Sequence, residues 1–328
     1  MNTSPNAPVN IILDTDFAMD CDDVGALCVL HALADMGEAR ILAIGTCDKN
    51  TWTPQAIDAV NTYYARPEIP IGAPRNEAPL SPSVYTRPIA DNCPHNLASA
   101  DQAEDAVQLY RRILEQQDDQ SVTFVSIGYL TNLANLLRIP VEGERLSGVE
   151  LVRRKIKQWV CMGGNFNGNP VRDDLSKGNF NFTKDPAAAH YTVTHWPAPI
   201  MFAGRQMCSS YSGLTAGLRL AEVPEDHPAR IAYECYYGGK PGARHVADLV
   251  TVLFSVRGLR DYWDAHTTGY MDLKPDMTFD WVAPPPPSSP RHGYLLKKIV
   301  DGQPNDRYVE RICEELMIQP PACRGVSR

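Results

Sequence analysis

Short apolar runs alternate along this chain with stretches whose apolar residues recur at helical spacing. Ile11 to Leu13 reads as the end of a buried strand, Val24 to Ala34 as a helix that Gly37 stops, and Ala39 to Ile44 as a second apolar strand. Strand, helix and strand within about forty residues is the pattern of a parallel βαβ unit. The unit repeats. A helix from Gln55 to Ala65 leads to a short strand at Ile69 to Gly72, and a helix from Ala103 to Leu114, with Asp101 as its cap, precedes a strand at Val122 to Ile127. Leu133 to Leu137 is helical before the strand Gln158 to Met162, and Asp185-Pro186 opens a helix over Ala187 to Val193 ahead of the strand Ile200 to Ala203. Arg244 to Val256 and the region around Arg307 to Met317 read as helices, with a break at Pro284 to Pro287 between them. Ala73 to Ala100 and Asn165 to Phe182 show no period. The first is rich in Pro, Ser and Asn and reads as a long surface loop, and the second is dense in asparagine beside Gly163-Gly164. With no linker and no internal repeat, the pattern predicts a single α/β domain over residues 1–328, with residues 1–8 unordered. Its architecture is a doubly wound, mostly parallel sheet flanked by helices, with ligands at the carboxyl ends of the strands.

Composition narrows the partners. A 328-residue chain that is 44% apolar can bury a substantial core. The net charge of −8 and the lack of a basic run argue against nucleic acid or an anionic membrane surface. No run reaches transmembrane length, and Met1 to Pro8 lack the layout of a signal peptide, so a cytoplasmic protein is expected. The nine cysteines show no Cys-x-x-Cys spacing and read as reduced core residues. His31 and His190, in apolar helical patterns, read as packing residues.

The candidate chemistry is concentrated after the first strand. Asp14, Asp16, Asp20, Asp22 and Asp23 place five carboxylates within ten positions before an apolar helix begins. Charges packed this closely repel unless they sit in water or share a cation, and an all-oxygen set suits a hard ion such as Ca²⁺ or Mg²⁺. A solvated loop with one capping aspartate accounts for one or two of these residues and leaves the rest unexplained. The stretch therefore reads as half of a metal site.

Several motifs in order carry a resemblance. Leu13-Asp-Thr-Asp16 with Asp22-Asp23, Gly128-Tyr-Leu-Thr-Asn132, Met162-Gly-Gly164 and Phe180-Asn181 before Asp185-Pro-Ala-Ala-Ala-His190 resemble the inosine-uridine-preferring nucleoside hydrolases, from residue 9 to about residue 318. The resemblance implies a Ca²⁺-dependent N-ribohydrolase that splits a nucleoside into ribose and base in purine or pyrimidine salvage, assembled as a homodimer or homotetramer. It implies calcium ligands at Asp16, Asp23, the Ile127 carbonyl and Asp248, and catalytic roles for Asp16 as base and for Asp22. Asp22, Asn169 and Asn181 would hold the sugar, Met162 would lie beneath it, and Asn50 would stand after the second strand. Asparagine amides, which donate and accept, suit sugar hydroxyls.

The sequence departs from the family pattern at four places. The acidic turn is longer, with Asp20 inserted, so either Asp20 or Asp22 faces the sugar. Asn179 replaces a glutamate two residues before Asn181, and Tyr129 replaces a small residue. Ala247 stands where well-studied members carry the histidine that protonates the leaving base. His245, three residues before Asp248 on the predicted helix, shares roughly one face with it and is the nearest substitute; a surface histidine is the plainer reading. Two rivals stand beside the hydrolase: a catalytically weak or inactive member that binds a nucleoside or ribosyl ligand, and a phosphohydrolase using Asp14 and Asp16. The latter lacks a recognisable downstream lysine and acidic motif.

Overall fold

Residues 7–166, 180–208 and 213–322 are described by a computed structural model. Its centre is β1 (Val9–Thr15), whose last five residues are buried, as a strand covered on both faces requires. There follow α1 (Asp22–Asp35), β2 (Ala39–Thr46), α2 (Thr53–Tyr63), β3 (Ile71–Ala73), α3 (Thr86–Asn92), β4 (Glu104–Asp105) and α4 (Ala106–Glu115). Next come β5 (Val122–Ser126), α5 (Thr131–Leu137), α6 (Gly148–Lys155), β6 (Ile156–Cys161), α7 (Phe180–Thr183), α8 (Pro186–His195) and β7 (Ile200–Phe202). Beyond α9 (Arg205–Cys208) lie β8 (Thr215–Ala216), α10 (Pro228–Tyr237), β9 (Arg244–His245), α11 (Ala247–Arg257) and β10 (Trp263–His266). A hairpin of β11 (Tyr270–Leu273) and β12 (Phe279–Val282), then β13 (His292–Lys297) and α12 (Asp306–Met317), complete the path to the site.

Nine strands form one sheet in the order β10-β13-β7-β6-β5-β1-β2-β3-β4, parallel except where β10 pairs with β13 at the edge. From β1 the chain winds outward through β2 on one side and later through β5 on the other, so the strand order reverses there. The crevice beyond the carboxyl ends of the strands at such a reversal is where an open α/β sheet takes its ligand. One face is covered by α1, α11 and α12, with Leu27, Leu249 and Met317 in the core; on the other, α4, α5 and α8 bury Leu109, Leu133 and Val193. No helix among the described residues is long and apolar enough to cross a membrane.

Some local expectations change. The stretch from 73 to 100 contains α3, which takes Pro88 in its first turn, where a missing N–H breaks no helical bond. The cap of α4 is Asp105, whose carboxylate accepts from Gln108 N at 2.9 Å, rather than Asp101, which lies in a short 3-10 turn. Residues 244–245 pair with β8 as a strand, and α11 begins only at Ala247. α6 escapes the apolar pattern because its stripe is narrow, Leu151 and Val152 amid charged residues.

Candidate active site

Asp14 and Asp16 stand at the end of β1, and packing separates their surroundings. Asp14 is fully buried; Tyr110 Oη and, at 2.8 Å, Asn132 Nδ2 donate to it, while burial pushes its carboxyl up to about 7. Asn132 also donates to the Thr46 carbonyl at 2.9 Å. Asp14 is thus a strut joining β1, β2 and α5, sealed from any substrate, which removes the basis for a phosphohydrolase attacking through it. Asp16 lies just beyond the strand, and burial pushes its carboxyl up to about 8, with a hydrogen bond from Tyr129 opposing and repulsion from Asp20 and Asp48 adding to the rise. The turn after β5 approaches closely: a Cβ on Gly128 would fall 2.4 Å from Asp16 N. Only glycine fits there.

Asp22 and Asp23 occupy the first turn of α1, and Asp248 the first turn of α11. One oxygen from each of these buried carboxylates lies within 4.8 Å of the others. Both helix N-termini favour negative charge, but three carboxylates exceed what two helix ends offset. Burial and mutual repulsion hold Asp23 and Asp248 well above the ordinary carboxylate range. Asp22 is raised by burial as well, but the attraction of His245 and Arg244 carries it below that range. Thr15 Oγ1 donates to Asp23 and accepts from Phe17 N at 3.2 Å, which fixes the carboxylate. Both Asp22 oxygens are buried without a hydrogen-bond partner. Such a set of hard oxygen donors, crowded and mutually destabilised, fits a metal cation.

Across the crevice, the Ile127 carbonyl follows β5 and accepts from Asn181 Nδ2 at 3.0 Å. The same amide reaches the Met162 carbonyl at 3.2 Å and Sδ at 3.3 Å, so Asn181 spans the ends of β5 and β6. Asn50 is engaged differently. Its amide donates to the Ser81 carbonyl at 3.1 Å, while its oxygen accepts from Trp52 N at 3.1 Å and Thr86 Oγ1 at 3.2 Å, tying the loop before α3 to the end of β2. Asp20 pairs with Arg244 at 2.6 Å, and one ligand atom each from Asp20, Asp22 and His245 lies within 4.8 Å of the others, so both aspartates border the site. His245 reaches the site from strand β9, its Nδ1 3.2 Å from Asp22 Oδ2. Asn169 and Asn179 lie outside the described residues.

Sequence reasoning missed Asp48, Ser81 and Arg244. Asp48 is buried and raised by desolvation, and it accepts from Asn50 N at 2.8 Å and Ser81 N at 3.2 Å. Ser81 Oγ in turn bonds Tyr129 Oη at 2.8 Å, so Asp48 and Tyr129 fasten the loop beside Asp16. The position of Asp48 at the end of an apolar strand is a signal that could have found it.

A family model described as inosine-uridine preferring nucleoside hydrolase matches residues 11–267. Among solved structures, the type III effector protein XopQ complexed with adenosine diphosphate ribose is 15% identical, with 96% of this chain and 94% of that one covered at a TM-score of 0.65. The inosine-uridine preferring nucleoside hydrolase from Bacillus anthracis is 15% identical, covering 94% and 99% at 0.61. The purine-preferring ribonucleoside hydrolase from Gardnerella vaginalis is also 15% identical, covering 94% and 98% at 0.65. These likenesses establish the fold. No curated protein matches in sequence.

Proposed function

This chain belongs to the inosine-uridine preferring nucleoside hydrolase family and is a hydrolase of N-glycosyl bonds, and from that premise we propose that it cleaves a ribonucleoside or modified nucleoside to ribose and free base with calcium as cofactor. The observation that carries the reading is the buried oxygen cluster of Asp22, Asp23 and Asp248 beside Asp16, set where the strand order reverses. Asp16, Asp23, Asp248 and the Ile127 carbonyl would hold the ion, and Asp22, Asn169 and Asn181 the sugar. When bound, calcium supplies Lewis acidity and lowers the barrier to deprotonating water. Asp16 takes a proton from the attacking water, whose oxygen bonds the anomeric carbon as the bond to the base breaks. The electron pair leaves with the base, and carboxylates around the ring stabilise the positive charge that develops on the sugar.

Two departures shape the expected substrate. Ala247 and Asn179 stand where the family pattern has a histidine and a glutamate. The chain should therefore act slowly on inosine and uridine and favour bases that leave without strong protonation. Release of reducing sugar from a panel of ribonucleosides and p-nitrophenyl riboside, with calcium and after EDTA, tests this. Calcium-dependent release, fastest from the p-nitrophenyl riboside, is the expected outcome; no release from any of them sinks the hydrolase reading. Equal rates on inosine and the p-nitrophenyl riboside would overturn the leaving-group argument alone.

The complex of XopQ with adenosine diphosphate ribose favours a second reading, a weak or inactive member that binds a ribosyl ligand. Asp16→Asn separates the two, since an enzyme loses turnover and a binder has none to lose. The proposal also includes a homodimer or homotetramer acting in the cytoplasm in nucleoside salvage, and light scattering on the purified chain reads the assembly.

A further inference from the structure

A cation stands inside the acidic end of the sheet. Arg244, on β9, keeps only 19% of its side chain exposed, and its Nη2 lies 2.6 Å from Asp20 Oδ2. The guanidinium lies over the Tyr236 ring at 4.9 Å, Tyr236 Oη donates to Asp20 Oδ1 at 3.2 Å, and Tyr85 Oη donates to the Asp20 carbonyl at 2.7 Å. One edge of the guanidinium is therefore anchored by the aspartate that lengthens the acidic turn.

The other edge makes no hydrogen bond. Arg244 Nε is buried without a hydrogen-bond partner, 3.8 Å from Asp22 Oδ1, which is also buried and unpartnered. His245 Nδ1 lies 3.2 Å from Asp22 Oδ2, an ion-pair distance that meets no hydrogen-bond geometry. Two acceptor oxygens and two nitrogens thus face one another at ion-pair distances, balanced in charge but without hydrogen bonds. Buried polar groups are almost always bonded, and such exceptions call for a missing partner. A hydroxyl fits the arrangement, because it donates through its proton and accepts through its oxygen.

We propose that Arg244 is a specificity residue that contacts the substrate: its Nε donates to the oxygen of a sugar hydroxyl whose O–H donates in turn to the Asp22 carboxylate, and Asp20 is the positioning residue that aims it. This rests on the nucleoside hydrolase reading and extends it, since it assigns the inserted aspartate and its arginine a task on the sugar. Arginine remains charged at every working pH, so the contact needs no titration.

The test is calorimetric binding of 1,4-anhydro-D-ribitol, a stable furanose, and of its 2-deoxy and 3-deoxy analogues, to the calcium-loaded full chain. Arg244→Gln should weaken the anhydroribitol roughly 10- to 100-fold, as expected for a hydrogen bond from a charged group. It should leave almost unchanged the affinity of whichever deoxy analogue lacks the contacted hydroxyl. Asp20→Asn should weaken the anhydroribitol less, and calcium should bind both variants at least as tightly as it binds the unaltered chain. Equal affinity of unaltered chain and folded Arg244→Gln for all the compounds overturns the proposal. Should Arg244→Gln fail to fold, the half-exposed Asp20→Asn decides, and unchanged affinities there overturn it equally. Absence of binding to the unaltered chain overturns this proposal together with the reading beneath it, whereas equal binding overturns this proposal alone.

Discussion

Asp14 and Asp16 lie two residues apart, yet one is a sealed strut within β1 and the other stands just beyond the strand among Tyr129, Asp20 and Asp48, and substitution should separate their tasks. Asp16→Asn keeps the shape and removes the base, so kcat on p-nitrophenyl riboside should fall roughly a hundred- to ten-thousand-fold while the melting temperature is maintained or rises. A residual rate close to that of the unaltered chain would show that Asp16 is not the base. Gly128→Ala should act through the backbone: its Cβ would meet Asp16 N at 2.4 Å, an atom that no rotamer can move aside. A loss of about 1–3 kcal/mol in chemical denaturation, with lower activity, is expected from such overpacking. The carboxylates that the fold brings together, Asp22, Asp23 and Asp248, stood out in sequence because crowded carboxylates, and a carboxylate within an apolar helix, contradict their local surroundings. Arg244 was not legible. An arginine beside a histidine is ordinary until the fold brings Asp20 and Asp22 against it.

Elements were easiest to read where periodicity was long. The helix α1 and the strands β1, β2 and β5 follow their apolar runs closely, since burial on both faces leaves no alternative register. Helix starts were harder. Asp101 and Asp105 both suit a cap by residue type, and only the backbone decides, because the chain between them makes a 3-10 turn and the two-residue β4. Asp105→Ala should therefore cost about 1 kcal/mol by loss of the cap, whereas Asp101→Ala should change denaturation little. The reverse order would restore the sequence expectation. The same ambiguity misassigned His245: Arg244 to Val256 reads as one helix, but pairing of Thr215 with His245 and Ala216 with Arg244 holds those two residues extended. The histidine comes near Asp22 through a strand rather than through helical spacing. That route depends on β8, a partner no local pattern could indicate.

For the molecule as a whole, acid should act through histidines far from the site. Burial pushes His31 and His292 down to about 3, and His31 is enclosed by Tyr64 and Asn61 while His292 accepts from Met271 N at 3.0 Å. Their folded values lie below the unfolded value near 6.5, so as pH falls through that interval the unfolded chain takes up protons that the folded chain refuses. Each histidine then removes about 1.4 kcal/mol of stability per pH unit. Replacing His31 by Gln should make the acid limb of a stability-against-pH curve shallower by about that amount, read from denaturant midpoints between about pH 6 and 4. An unchanged slope would mean that His31 is protonated in the folded state. The overall layering and the place of the crevice were readable from the βαβ repeat, because strand order and connection follow from parallel packing. The β11–β12 hairpin and the antiparallel edge at β10 were not, since their runs are short and half-exposed. The two margins of the sheet have a consequence of their own. One ends in β4, only Glu104 and Asp105, and the other in the four residues of β10, Trp263–His266. So little unpaired backbone, acidic on one side, makes the central sheet a poor template for strand addition by a neighbouring molecule.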